Sequence, residues 1–424
     1  MLRSIQKEGI VGPVTLFDKS FLEMLSVDQA VLFDLMFSTV ISPIFYVEVL
    51  ADLEKDDPKS RTREKVVADV AKKTPVLHSY PNVSHMALCL NELLGNPIEI
   101  DGRPVIQGGI PVMHKGKIVI VNEQTPESKA FDRWQDERFH DVERNFAAVW
   151  RKALKELDNA ALATLTKQML LIEESPKNHE DALRIARAVL NRDGQHFLNL
   201  KLGYYFLGLD PSIWRVVEAR WKASGHKPLP EYAPYFTYCL TVDIFCNLLM
   251  TKKIISPDRP SNRTDVAYLY YLPFTTLFVS EDRLHRRVAP LFLREGQKMV
   301  TGSELKEDLI KLDEHYSALP EEDRKQGMFR LASTPPDDEK YLTTRLWREC
   351  GHSTAPKPPM VKNPALHSEI RQNLKDVVAL SRQPQHRSFS QFSKADLKEP
   401  DQRMIRRLIP RKWGKWQVVP EDIK

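Results

Sequence analysis

Short apolar runs alternate with helical patterns at the start of the chain. Residues 13–17 (PVTLF) and 39–42 (TVIS) are rich in strand-forming residues, and residues 74–79 form a third such run. Helical patterns begin at Ser20 and at Pro43, and a proline suits a first helical turn because its missing N–H is not needed there. Consecutive strands that are joined through helices pair in parallel. The pattern therefore predicts an α/β fold in which helices cover a parallel sheet.

The middle of the chain departs from this pattern twice. Residues 97–121 place two turn pairs, Asp-Gly and Lys-Gly, between strand-forming runs, which predicts an inserted β-hairpin element. From residue 128 to about residue 251, apolar and aromatic residues recur at three- to five-residue steps. That spacing predicts an inserted helical bundle.

Strands and helices alternate again after the bundle. Residues 263–272 predict an apolar helix that opens at Asp265, residues 275–280 a buried strand, and residues 281–293 a further helix. After residue 333 the chain is loop-like, with one predicted helix near 365–380. The predicted organisation is a core in two parts (1–80 and 255–334), a hairpin element (81–127), a bundle (128–254) and a basic, partly disordered tail (335–424).

Composition and charge narrow the classes of protein. The chain has 424 residues, of which 42% are hydrophobic and 28% charged, as is typical of a globular protein with two or three domains. The net charge is +5, but residues 353–424 alone carry a net of +8, so the basic character belongs to the tail. The four cysteines form no C-x-x-C pair, and the longest apolar stretch is too short to cross a bilayer. We therefore expect a cytoplasmic protein without a membrane segment.

Four carboxylates occupy corresponding places in this pattern. Asp18 follows the first strand, Glu48 lies on the helix after the second, Asp265 opens a helix, and Asp282 follows the next strand. Groups beyond the carboxyl ends of parallel strands converge on one crevice, so acids that are distant in sequence meet there. Four acids alone would repel one another and raise one another's pKa values, whereas a divalent cation relieves the repulsion. The arrangement thus favours a metal site.

The residues around these acids resemble the four acidic motifs of PIN-domain nucleases. The matching segments are Asp18-Lys19-Ser20, residues 43–50 around Glu48, residues 264–267 around Asp265, and residues 278–282, which end at Asp282. The family commonly places a hydroxyl residue two positions after the first acid and two before the last, where Ser20 and Ser280 stand.

The resemblance implies a three-layer α/β/α fold in which the four acids are catalytic and bind one or two Mg²⁺ or Mn²⁺ ions. It implies a nuclease that hydrolyses phosphodiester bonds, most often an endoribonuclease that acts on single-stranded RNA. A structure-specific DNA nuclease and a non-catalytic scaffold that binds nucleic acid or a protein are the alternatives. Because 217 positions separate Glu48 from Asp265, the resemblance makes the bundle an insertion. Glu281 and Asp52 are further candidate ligands.

Each acid also has a structural alternative. Asp18 and Asp282 stand where a side chain caps a following helix, and Asp265 stands where an acid complements a helix dipole. Asp282 also has the spacing for an ion pair with Arg286, four residues later. Glu48 is harder to explain in this way, because it lies among apolar residues and a buried glutamate needs a partner.

Hydroxyl and basic residues beside the first and last acids are the candidates for binding substrate phosphates: Ser20, Ser280, Arg283, His285, Arg286 and Arg287. Arginine binds phosphate through two N–H groups, whereas the alternative for the basic run is a solvated helix face. Residues 406–416 interleave basic residues with Trp413 and Trp416, which suits a nucleic acid or a protein partner. The aromatic residues of the bundle favour a wall beside the acids, a homodimer surface or the bundle's own core.

Overall fold

Five short strands pair in parallel into one sheet, which confirms the predicted α/β fold. The structure is a computed structural model that describes residues 2–4, 10–55, 61–107, 110–114, 117–121, 125–259, 261–324, 331–355 and 414–416. The strands in chain order are β1 (Leu2–Ser4), β2 (Val14–Phe17), β3 (Ser38–Ile41), β4 (Ser79–Pro81), β5 (Val105–Gln107), β6 (Ile110–His114), β7 (Lys117–Val121), β8 (Leu277–Ser280) and β9 (Lys298–Thr301). The parallel sheet has the order β4-β3-β2-β8-β9, so segments that are distant in sequence meet at β2.

The inner strands are buried on both faces. Every residue of β2, β3 and β8 is buried, whereas the edge strand β9 keeps exposed positions. A parallel strand that is buried on both faces needs helices on both sides of the sheet. The architecture is therefore consistent with three layers, and it places the carboxyl ends of β2 and β8 side by side.

Side-chain caps explain where the first helices begin. These helices are α1 (Lys19–Met24), α2 (Val27–Met36), α3 (Pro43–Ala51), α4 (Arg63–Lys73) and α5 (His85–Leu93). Ser26 and Gln29 form a capping box at the start of α2, and Ser42 caps α3, in which Pro43 occupies the first position as predicted. Such caps bind the N–H groups that a helix leaves unpaired at its start.

Helices fill the region of the predicted bundle. They are α6 (Pro126–Trp134), α7 (Asp141–Glu156), α8 (Asn159–Met169), α9 (His179–Leu190), α10 (His196–Leu207), α11 (Pro211–Ala223), α12 (Leu229–Tyr232) and α13 (Pro234–Thr251). Helix α13 is buried along most of its length and packs against α5, α8 and α9, so bundle and sheet share one apolar core. Within the described ranges, no helix combines the length and the apolar character that a membrane crossing would require.

A helix beyond the predicted core corrects the expectation of a loop-like chain after residue 333. The remaining helices are α14 (Ser261–Ala267), α15 (Arg283–Val288), α16 (Gly302–Ser317), α17 (Glu321–Arg324) and α18 (Leu342–Glu349). The side chain of Asp308 on α16 accepts the backbone N–H groups of Leu342 and Thr343, each at 2.7 Å. The buried indole of Trp347 donates to the carbonyl oxygen of Met36 at 2.9 Å. Helix α18 therefore belongs to the packed body.

The β region around residue 100 also differs from the prediction. Strand β5 pairs antiparallel with β1, and residues 97–100 form no strand, so the first of the two predicted hairpins is wrong. The turn at Gly102 does form, with φ at +85°, but its N–H donates to the carbonyl oxygen of Pro273 at 3.0 Å. Strands β6 and β7 pair with each other in antiparallel fashion.

Several element bounds shift in ways that matter for the site. Strand β4 begins at Ser79, where the predicted strand over residues 74–79 ends. Helix α14 begins at Ser261, so Asp265 lies inside the helix instead of opening it. Helix α15 ends at Val288, followed by a 3-10 turn, although residues 281–293 predict one helix. The helix predicted near 365–380 lies outside the described residues.

Candidate active site

Four acids gather at the carboxyl edge of the sheet. Phe17 and Val279 are register partners on β2 and β8, so Asp18 and Asp282 follow two adjacent strands. Glu48 lies on α3, which follows the neighbouring strand β3, and Asp265 lies on α14, which precedes β8. We call Asp18, Glu48, Asp265 and Asp282 the acidic cluster.

Asp18 is the most tightly bonded member of the acidic cluster. The residue is 4% exposed, and its Oδ1 accepts the N–H of Phe21 at 3.0 Å, so it caps α1. The hydroxyl of Ser20 lies 2.9 and 2.8 Å from its two oxygens, and the hydroxyl of Ser280 donates to Oδ2 at 2.6 Å. Although burial alone would raise the pKa of Asp18, the hydrogen bond and charge of His285 hold it below its usual value.

Asp282 caps α15 and keeps one oxygen open. Its Oδ1 accepts the N–H groups of Leu284 at 2.6 Å and His285 at 3.3 Å. Its Oδ2 has no hydrogen-bond partner among the residues that the structure describes. The suggested ion pair with Arg286 does not form, because the guanidinium of Arg286 lies 4.0 Å from Glu281 instead. The capping role is confirmed, and it uses only one of the two carboxylate oxygens.

Glu48 is half-buried and has a tyrosine as its hydrogen-bond partner. The hydroxyl of Tyr268 donates to its Oε2. Desolvation raises the pKa of Glu48 to about 7; the charge of Lys19 and the Tyr268 bond oppose that rise, and Asp265 and Asp18 add to it. Glu48 is thus not paired with an arginine in the described structure, and it is sensitive to the charges of two other acids.

Asp265 is the least satisfied member of the acidic cluster. It is 8% exposed, and its Oδ2 is buried without a hydrogen-bond partner among the described residues. Desolvation raises its pKa to about 6; His285 opposes the rise, and the charges of Asp282 and Asp18 add to it. Because Asp265 lies inside α14, complementing the dipole at a helix start does not explain it. Buried carboxylates normally have donors, so Asp265 is a candidate functional residue.

The side chain of His285 is buried beside the acidic cluster and contacts two of its members. Its Nδ1 is 2.7 Å from the hydroxyl of Ser280 and 3.3 Å from Oδ2 of Asp18, and its Nε2 is 2.7 Å from the carbonyl oxygen of Asp265. Ser280 gives its only proton to Asp18 and accepts the N–H of Asp282 at 3.0 Å. With that proton on Asp18, both ring nitrogens of His285 face acceptors, an arrangement that a doubly protonated ring satisfies. Burial alone would lower the pKa of His285, but its bonds with Asp18 raise it to about 9.

The two further candidate ligands are engaged elsewhere. Asp52 is 2% exposed, and its carboxylate pairs with Lys19 at 2.6 Å and with Arg151 at 3.4 Å. Glu281 accepts the N–H of Ser303 at 2.9 Å and so holds the start of α16. With these described partners, Asp52 and Glu281 hold neighbouring segments of the chain together.

The predicted phosphate-binding residues fall into two groups. Arg283, Arg286 and Arg287 are exposed on α15, as a substrate contact requires. Ser280 is fully buried and His285 is 1% exposed, so the prediction that they touch substrate is wrong for this structure. Both instead hold Asp18 in place. Ser20 is half-buried beside Asp18.

The described end of the tail corrects part of the tail prediction. Trp416 is buried, and its indole donates to Asp313 on α16 at 2.9 Å, so it is not free to stack on bases. The ammonium of Lys415 binds the same carboxylate at 2.6 Å. Trp413 and the other basic residues of the segment lie outside the described residues.

Tyr268 is a residue of the site that the sequence did not predict, and His285 is too buried for the predicted role in phosphate binding. Tyr268 follows Asp265 by three residues, a spacing that places two side chains on the same face of a helix. His285 precedes Val288 by the same spacing, and both are buried, so the helical period of α15 separates His285 from its exposed arginines.

Comparisons with other proteins leave the family open. No protein-family model, curated protein or solved structure matches the chain. In the described part of the chain, no three His, Cys, Asp or Glu side chains form a ready ligand set for one metal ion. The geometry of the acidic cluster is therefore the feature of this chain that points to a function.

Proposed function

We propose that this chain is a metal-dependent nuclease with a PIN-like core, and that the acidic cluster is its active site. The observation that carries the proposal is the buried Oδ2 of Asp265, which has no hydrogen-bond partner among the described residues. Its neighbours Asp18 and Asp282 are also acids whose charges raise its pKa. A cation relieves both problems, since it ligates the open oxygen and neutralises the repulsion.

The chemistry of the donors fits Mg²⁺ or Mn²⁺. Glu48, Asp265 and Asp282 each have an oxygen that no described residue binds, and oxygen is the ligand that these cations prefer. Mg²⁺ usually takes one or two carboxylates and completes its shell with water and phosphate, so a closed protein cage is not required. In the proposed site, Asp18, Glu48, Asp265 and Asp282 would supply the carboxylate oxygens, and water and phosphate would complete the shell. A bound cation would activate water and stabilise charge on the phosphodiester.

The protein's own groups would orient the site and the substrate. Ser280 and His285 fix the carboxylate of Asp18, and Tyr268 fixes that of Glu48. Ser20 bonds to Asp18 from a half-buried position, where a ligand could displace its hydroxyl. Exposed Arg283, Arg286 and Arg287 would bind the phosphates of the strand on either side of the cleaved bond.

RNA is the favoured substrate because of the resemblance to PIN-domain nucleases, most of which cut single-stranded RNA. A structure-specific DNA nuclease uses the same acids and differs in the substrate that its surroundings admit. The direct test is cleavage of end-labelled single- and double-stranded RNA and DNA of one sequence, with Mn²⁺ or with a chelator. The proposal expects Mn²⁺-dependent internal cleavage, fastest on single-stranded RNA; a chelator-insensitive product would contradict it.

A non-catalytic scaffold is favoured by a different observation. Two protein cations already lie at the acidic cluster: His285 beside Asp18, and Lys19, whose charge lowers the pKa of Glu48. In a scaffold these cations would replace a metal. The same assay separates the two functions, because a scaffold would bind RNA without cutting it under any metal condition.

The bundle offers a surface for a second copy of the chain. Helix α7 exposes Val142, Phe146 and Val149, which share one face of the helix. By contrast, Trp134 and Trp221 are buried in the apolar core that the bundle shares with the sheet. We propose that the α7 face forms a homodimer contact, which light scattering on wild type and Val149→Asp would test; the tail is proposed to bind nucleic acid or a protein.

A further inference from the structure

One buried side chain connects three segments that build the acidic cluster. His285 on α15 contacts Asp18, which follows β2, and the main chain of Asp265 on α14. It also contacts Ser280, the last residue of β8. Asp18 is far in sequence from the other two segments, so its position relative to them depends on contacts of this kind.

The ring of His285 is held firmly in place. It is 1% exposed and lies edge-on to Tyr268 and Phe278, with ring centres 5.5 and 5.1 Å apart. Tyr268 in turn donates to Glu48, so the packing around the ring extends to a third acid. A side chain that is packed on its faces and bonded at both nitrogens has little freedom to move.

The second ring nitrogen of His285 binds the main chain of α14. Asp265 lies in the last turn of α14, which continues directly into a 3-10 helix over Tyr268–Phe274. The Nε2 of His285 donates to the carbonyl oxygen of Asp265 at 2.7 Å. The same ring therefore fixes the main chain that carries the least satisfied carboxylate of the cluster.

We propose that His285 is a positioning residue, which fixes the carboxylate of Asp18 relative to the backbone of Asp265 so that the acidic cluster keeps one geometry. This inference rests on the proposed function of the same cluster. It assigns no contact between His285 and substrate, because the ring is buried. Its consequence is that His285 acts on the rate of the chemical step and not on substrate binding, which we assign to the exposed arginines of α15.

Two substitutions at His285 distinguish the effect of its hydrogen bonds from the effect of its packing. His285→Leu fills much of the volume without any donor, and His285→Gln keeps an amide donor near Asp18. His85→Gln is the matched control, because His85 stacks on Tyr270 at 4.2 Å, away from the acidic cluster. Thermal melting first identifies a temperature at which all four proteins are folded. Cleavage of single-stranded RNA is then measured there with saturating Mn²⁺.

We expect kcat to fall about a hundredfold in His285→Leu and about tenfold in His285→Gln, because small displacements of reacting groups have effects of that size. KM for RNA should stay within about twofold, since substrate contacts are unchanged. Without any metal, hydrogen–deuterium exchange should become faster in peptides covering α1 and α14 of His285→Leu, and should not change in α9. His85→Gln should resemble the wild type in each measurement.

The outcomes distinguish this inference from the proposed function. If the wild type cleaves RNA and His285→Leu cleaves equally fast, or exchange at α1 and α14 does not change, the positioning role is overturned and the nuclease function stands. A loss of activity that merely follows the unfolded fraction overturns it as well. A wild type that neither binds Mn²⁺ nor cleaves RNA overturns the proposed function, and with it this inference.

Discussion

Buried carboxylates occur in two regions of this molecule, and their hydrogen-bond partners differ between the two regions. In the helical layers, Asp34 accepts the N–H groups of Val76 and Leu77 at 2.9 and 3.0 Å. Asp308 accepts two N–H groups and the hydroxyl of Thr343, each at 2.7 Å. At the carboxyl edge of the sheet, Asp265 has acids for neighbours and a buried oxygen without a described partner.

The partners of these buried acids indicate a different role for each region. A buried acid that accepts backbone N–H groups holds two segments of chain together and has its desolvation compensated. A buried acid among acids lacks this compensation: the pKa of Asp265 stays raised even though His285 opposes the rise. We infer that Asp34 and Asp308 serve stability, and that the acidic cluster serves a ligand.

A raised pKa by itself does not distinguish the acidic cluster from other buried acids. Burial raises the pKa of Glu92 to about 7, as it does for Glu48, yet Glu92 accepts the N–H groups of Tyr235 and Phe236 at 3.2 and 2.8 Å. Glu92 therefore secures the start of α13, and no neighbouring acid adds to its shift. The distinguishing features of the acidic cluster are its like-charged neighbours and its open oxygens.

The largest expected effect is on cleavage by Asp282→Asn. The asparagine keeps the oxygen that caps α15 but removes a charge and a metal ligand, so activity should fall at least about a hundredfold. The melting temperature should stay the same or rise, because repulsion is relieved. The matched control is Asp210→Asn, which changes a capping aspartate of α11 in the same way. Unaltered activity of Asp282→Asn would remove that residue from the site.

The opposite pattern is expected for Asp308→Ala. Loss of this side chain leaves the N–H groups of Leu342 and Thr343 without their acceptor, which should lower the free energy of unfolding by about 2 to 4 kcal/mol. Urea denaturation measures the change. The rate of cleavage per folded molecule should stay near that of the wild type. An Asp308→Ala variant as stable as the wild type would contradict the structural role of this buried acid.

The pH dependence of stability should separate Glu48 from Glu92. Both have a folded-state pKa of about 7, above the usual 4.5, so each stabilises the fold at low pH and loses that contribution as pH rises toward 7. Glu48→Gln and Glu92→Gln should therefore each flatten the curve of unfolding free energy against pH between about 4.5 and 7. Saturating Mg²⁺ should suppress the contribution of Glu48 and leave that of Glu92. An equal response of both to Mg²⁺ would contradict the distinction.

The smallest effect is expected at an acid that is only partly buried. Asp313 accepts the indole N–H of Trp416 at 2.9 Å and pairs with Lys415 at 2.6 Å. Because the pair is partly exposed, Asp313→Ala should cost no more than about 1 kcal/mol of unfolding free energy. Limited proteolysis should cut the tail of this variant faster, and cleavage of RNA should not change. A loss above that range would show that the end of the tail is part of the folded core.

The sheet and three of its acids could be predicted from the sequence because local patterns determine them. Short apolar runs that end at Asp18 and Asp282, and Pro43 at the start of α3, place these acids beyond strand ends without any knowledge of packing. The role of His285 could not be predicted in that way. Its neighbours in sequence are arginines, and only the packing of α15 against Tyr268 and Phe278 turns this ring inward.

Long-range contacts explain the wrong predictions. Strand β5 follows a good turn signal at Gly102, but its partner is β1, which no local pattern indicates. Helix α18 follows a proline-rich segment and is held by Asp308 and by the bond from Trp347 to Met36. Both features depend on residues that are far away in the chain, and a single sequence carries no direct record of such pairings.

Calorimetric titration of the wild type with Mn²⁺ measures whether the acidic cluster holds a divalent cation. We expect that one or two ions bind, that Asp265→Asn weakens the binding at least about tenfold, and that the control Asp210→Asn does not change it. Binding that is equally tight in Asp265→Asn, or a wild type that binds no Mn²⁺ at millimolar concentration, would contradict it.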